Sequence, residues 1–142
     1  MVFYNFDYSC FPNVKIIFLG AVNNEELEMM FSEWLSIYNR KTNFNIIFDL
    51  TKIKSPTIVF AYKMAKFIEL LRKQTPQYFK KSYVIAPNSS ILKFLIKLTF
   101  KISKPVSLVY IYWKNKNENV DSDNILKIFE KHMFKFNYIS NK

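Results

Sequence analysis

Glycine occurs once in this 142-residue chain, and so do cysteine and histidine. One Cys closes no internal disulfide, which excludes a small disulfide scaffold. One His, one Cys and no CxxC pair leave a zinc site short of soft ligands, so no metal is expected. Gly20 stands alone, which removes the Gly-rich phosphate loop and with it a nucleotide cofactor. The chain also lacks a long apolar run. Its greasiest stretch, Ile91 to Ile102, is broken by Lys93, Lys97 and Lys101, whereas a bilayer span needs ~20 apolar residues. Met1 to Cys10 has no basic segment and contains Asp7, a poor match to a secretory signal, so a cytoplasmic location is expected.

What is abundant is apolar and basic. Half the residues are hydrophobic and 26 are aromatic, enough for a real core, and the length suits one domain over residues 1–142. The net charge of +10 is unevenly spread. Residues 1–50 carry net −3, residues 51–117 carry net +13 with Glu69 as their one acid, and residues 118–142 are neutral. A genome-wide bias toward Lys would distribute it evenly. Segregation of this kind suits an anionic partner.

Strand-like and helix-like stretches alternate. Val14–Leu19, Asn45–Leu50, Tyr83–Ala86 and Val106–Trp113 are nearly continuous apolar runs, the pattern of strands buried on both faces. Phe3–Cys10 reads as an edge strand hairpinned onto the first of them. Between them, Leu27, Met30, Phe31, Trp34, Leu35 and Tyr38 share one helical face, with Asn23 as cap and Glu26 completing a capping box. Ser55-Pro56 reads as N-cap and first position of a second helix running to about Gln74. Ser89 or Ser90 opens a third, and Asp121-Ser122-Asp123 a fourth that carries Ile125, Ile128, Phe129 and His132 on one face. The resulting order, β-β-α-β-α-β-α-β-α, predicts an α/β fold: helices on the faces of a mostly parallel sheet with an antiparallel edge strand.

Element order, the segment Ile46-Ile47-Phe48-Asp49-Leu50-Thr51-Lys52-Ile53 before a capped helix, and Tyr83-Val84-Ile85-Ala86-Pro87-Asn88 before the next together resemble the STAS domain, the fold of anti-sigma-factor antagonists, and the related single-domain SEC14-like proteins. The resemblance covers nearly the whole chain. It implies a phosphorylatable hydroxyl at the start of the second helix, where this chain offers Ser55 and Thr57. The family turn Asp-Ser-x-Gly is replaced here by Lys54-Ser55-Pro56-Thr57, without the glycine that reaches positive φ easily. The plainer reading of Ser55 is the N-cap.

Catalytic residues are not expected. His132 falls on an apolar helix face, Cys10 in an aromatic strand where a thiol behaves as a small hydrophobe, and Glu25, Glu26, Glu28 and Glu33 at the start and on the outer face of a helix. Asp49 ends a strand where ligands of open sheets collect, or else caps the turn after it. The third helix stands out. Lys93, Lys97 and Lys101 form one stripe and the apolar arc spans about 240°, wider than one core face requires. Its cover is either the rest of the chain, a partner protein, or an acyl or membrane surface. The expected function is a non-enzymatic STAS-like interaction or regulatory domain that binds a protein. Contacts are expected at Lys63, Lys66, Lys93, Phe94, Lys97 and Lys101, in a basic set that also includes Arg72 and Lys73. The alternative is SEC14-like binding of lipid or an anionic membrane. Nucleic acid ranks lowest, since Arg, the usual base reader, occurs twice.

Overall fold

The computed structural model describes residues 2–118, Asn124, Lys127 and Asn137–Ile139. Its elements are β1 (Tyr4–Asp7), β2 (Asn13–Phe18), α1 (Asn24–Ser36) with a 3-10 turn over Ile37–Arg40, β3 (Phe44–Asp49), α2 (Ile58–Arg72), β4 (Phe79–Pro87), α3 (Ser90–Ile102), β5 (Leu108–Lys114) and β6 (Asn137–Ile139). The six strands form one sheet in the order β1-β2-β3-β4-β5-β6. β2 to β5 run parallel, and β1 and β6 are antiparallel edges. The α/β character, the mostly parallel sheet and the antiparallel first strand agree with the sequence pattern. β6 has no counterpart in it, and the fourth helix with His132 lies outside the described residues.

The register sorts the strands into two faces. Val14, Ile46, Ser82 and Val109 are partners in one row, and Ile16, Phe48, Val84 and Ile111 in the next. α1, α2 and α3 all pack on this face. Trp34 of α1 sits 5.3 Å from Phe48, Phe60 of α2 sits 6.2 Å from Phe18, and Leu92 and Leu95 of α3 line a space shared with Val84 and Val109. The three described helices therefore share one face of the sheet. Strands laid down in sequence order make each right-handed crossover step the same way, and steps in one direction land on one side. Ile47, Ile85 and Tyr112, in rows of the second face, are buried as well, which accounts for the continuous apolar runs.

α1 and α2 meet through aromatics. Phe31 stacks on Phe67 at 4.2 Å and Trp34 meets the same ring edge-on at 4.9 Å, geometries that favour aromatic pairs beyond their buried area. Asn23 caps α1 by accepting from the amides of Glu25 (2.9 Å) and Glu26 (3.1 Å). The reciprocal half of the capping box goes elsewhere: Glu26 Oε1 accepts from the amide of Phe3 at 3.0 Å, and Glu33 accepts from the Tyr8 hydroxyl at 2.7 Å. These acids, read from sequence as helix-dipole and solvated residues, tie β1 to α1.

Candidate functional site

β2, β3 and β4 are each followed by a helix that runs back, so the N-termini of α1, α2 and α3 gather at the C-terminal edge of the sheet. The loops there are pinned to one another. The Leu50 amide donates to Ile85 O (2.8 Å), the Lys54 amide to Gly20 O (3.0 Å) and the Asn88 amide to Lys114 O (2.8 Å). Asp49 is buried, and its Oδ1 accepts from the amide (3.0 Å) and hydroxyl (2.6 Å) of Thr51. That is the turn-capping role rather than a carboxylate aimed at a ligand.

The start of α2 differs from the sequence reading. Thr57, not Ser55, is the N-cap: its backbone is extended and its Oγ1 accepts from the Phe60 amide at 3.1 Å. α2 begins at Ile58 and ends at Arg72. Ser55 lies before the cap at φ 50°, a left-handed conformation reached without glycine. Both hydroxyl residues are exposed. The third helix is capped by Ser89, whose Oγ accepts from the Leu92 amide at 3.4 Å.

α2 and α3 lie side by side. Thr99 Oγ1 donates to Leu95 O (2.8 Å) and reaches Ala61 O (3.5 Å), so the small side chain of Ala61 marks the seam. Arg72 closes its far end through Ser103 Oγ (3.3 Å) and the carbonyl of Lys104, a structural use for a cation read as surface charge. Leu92, Leu95 and Thr99 are the buried residues of α3, with Ile96 and Phe100 packed against the core. Leu98 is only half-buried. Part of the wide apolar arc stays in solvent: Ile91 is 63 % and Phe94 54 % exposed. α2 adds Ile58 at 61 %, Tyr62 at 50 % and the exposed Val59. At 100° per residue, Ile58 and Tyr62 border the seam from one side and Ile91, Leu98 and Ile102 from the other.

The cations of this surface differ in their engagement. Lys63 pairs with Glu28 at 4.0 Å and Lys66 with Glu69 at 3.7 Å, while Lys66 also sits over the Tyr62 ring at 5.4 Å. Lys93 turns away, 5.5 Å over Trp113 of β5. Lys97 and Lys101 are exposed and carry no ion pair among the described residues. The structure thus brings Lys66, Phe94, Lys97 and Lys101 to one outer surface, and places Lys63 toward α1 and Lys93 toward β5. Sequence reasoning missed Ile58, Val59 and Tyr62. The signal for Val59 and Tyr62 was available, since they fall outside the Ala61, Ala65, Ile68 stripe; Ile58 continues that stripe at i, i+3, i+7 and i+10, and its exposure could not be read from spacing.

Cys10 is exposed in the β1–β2 turn, not buried in a strand. Among the described residues, no three acids, histidines or cysteines cluster as a metal site, and no helix is long and apolar enough to cross a membrane. No family model matches the chain, and comparison with curated proteins and with solved structures yields no match.

Proposed function

We propose that this chain is a non-enzymatic STAS-like interaction domain that docks a protein partner on the outer surface of α2 and α3. The carrying observation is the combination there of Ile58, Tyr62, Ile91 and Phe94, all at least half exposed, with the exposed cations Lys66, Lys97 and Lys101. Protein interfaces are built this way: an apolar, aromatic centre that desolvates on contact, inside a charged rim that steers the approach. The sign of the rim calls for an acidic partner. The order of elements and the capped helix after β3 support the STAS-like reading, and exposed Ser55 and Thr57 support a phosphate switch beside the docking surface. Asp also caps helices, so Thr57→Asp leaves the fold intact while placing a negative charge where a phosphate would sit.

The test is a photo-crosslinking amino acid in place of Phe94, with the same group in place of Glu25 as control, in cells that express the chain. The reading predicts one discrete protein crosslinked from position 94 and not from position 25. The purified pair should bind, and Phe94→Ala with Lys97→Glu should weaken it at least tenfold. Flotation with phosphatidylserine vesicles at low salt is run beside it. Vesicle binding lost in Lys97→Glu, without a protein crosslink, would replace the protein reading with membrane association.

A further inference from the structure

A cavity of about 100 Å³ lies between the helical face of the sheet and helices α2 and α3. Phe18, Val84 and Val109 line it from the sheet, Met64 from α2, and Leu95 and Phe100 from α3. Protein interiors hold few voids larger than a water molecule, so a space of this size is a feature and not ordinary packing noise. None of the residues around it is charged, so a charged guest would meet no counter-ion.

The wall offers a guest almost nothing but carbon. Its polar side chains are turned to other uses. The hydroxyls of Ser82 and Ser107, both buried, bond each other at 2.7 Å, and the Thr99 hydroxyl is spent on Leu95 O at 2.8 Å. Trp34 contributes its ring, and its Nε1 is buried out of reach of a water-sized atom. Water needs two or more polar partners to settle in a cavity, so this one stays dry. The atoms around an empty space lack dispersion contacts on one side, and an apolar guest restores them without losing a hydrogen bond. A guest with a hydroxyl or carbonyl would strip that group of water and give it no partner. Size sets the other limit. An apolar cavity of roughly 150 Å³ admits benzene, and the partly buried Met64, an unbranched and adaptable side chain, lets this smaller one yield.

We infer that this cavity binds a small hydrocarbon-like molecule, no larger than benzene and without any hydrogen-bonding group, and that it rejects polar molecules of the same size. The site is separate from the outer surface of α2 and α3 and does not depend on what docks there. Benzene and phenol are titrated into the protein labelled with ¹³C at its methyl groups. Benzene should shift the methyl signals of Met64, Leu92 and Leu95 saturably and leave those of Ile47 and Ile85, on the second face of the sheet, in place. Phenol should bind at least about tenfold more weakly, since its hydroxyl would be buried unpaired. Val84→Ile and Val109→Ile, each adding one methylene to the wall, should weaken benzene by about tenfold. Because the guest bridges the sheet and two helices, the urea midpoint of the unaltered protein should rise with benzene concentration. Methyl shifts that do not saturate, or that are equal at Ile47 and Ile85, would mean that the cavity is not a binding site. Phenol binding as tightly as benzene would overturn the ligand class, and full benzene affinity in both Ile variants would place the guest elsewhere.

Discussion

Lys41 and Ser55 hold the two positive φ values found among the described non-glycine residues, 52° and 50°. A side chain in the left-handed region costs roughly 1–2 kcal/mol, and Gly gives back part of that gain through its looser unfolded chain. Lys41→Gly, at the end of the turn after α1, is therefore expected to raise stability by up to about 1 kcal/mol in urea unfolding, and Ser55→Gly likewise. The cap assignment separates neighbours in the same assay. Thr57→Ala should cost ~1 kcal/mol and Ser55→Ala close to nothing, whereas the reverse would restore Ser55 as the cap. Ser-Pro is a strong cap signal in sequence, and nothing local to it reveals the Lys54-to-Gly20 tie between distant loops that precedes the left-handed turn. Tyrosines supply a pH prediction. Burial raises the pKa of Tyr38, whose hydroxyl donates to Gln77 at 2.5 Å, and burial also raises those of Tyr4, Tyr8 and Tyr83. A folded-state pKa above the unfolded one gives stability that is complete below the ordinary tyrosine value near 10 and is lost as pH rises past it. The urea midpoint should fall between pH 9 and 11, and fall less in Tyr38→Phe; an equal fall in both would remove Tyr38 from the account.

At the scale of elements, α3 divides between two duties. Leu95→Ala removes a buried side chain and should destabilise by on the order of 2–5 kcal/mol. Phe94→Ala, one residue away on the outer surface, should change stability by no more than about 0.5 kcal/mol. Equal losses at the two positions would mean that Phe94 is core and that the proposed docking surface does not exist. The split was partly legible. The Lys stripe and the over-wide apolar arc flagged the helix, and the strands, the edge hairpin and the Asn23 cap could be read from period and punctuation alone. Which apolar residues stay outside was not legible, because it depends on where α2 lies, and Thr99, a polar residue in the buried stripe, reaches toward Ala61 across the seam. Trp34 belongs to the same lesson. Its place on the apolar face of α1 was plain from spacing, but an indole N–H without an acceptor among the described residues can be found only once the neighbours are in place.

For the whole molecule, strand order turns sequence order into geography. Strands that follow one another across the sheet place residues 1–50, net −3, toward the β1 edge and residues 51–117, net +13, toward the β5 side. The charge asymmetry seen along the chain therefore becomes a gradient across the helical layer, from the acidic α1 to the basic α2 and α3. Exposed charges act over about a Debye length, ~8 Å in physiological salt, so a partner drawn to this side should associate more slowly as salt is raised. Lys97→Glu should flatten that dependence, and a salt-independent association rate would contradict the steering role. The central claim, that the outer surface of α2 and α3 is where this protein meets its partner, is tested most directly by hydrogen exchange on the purified chain with and without the protein crosslinked from position 94. The account predicts slowed exchange confined to α2, α3 and the loop around Ser55. Protection on α1 and β1 instead, or no protection anywhere, would contradict it.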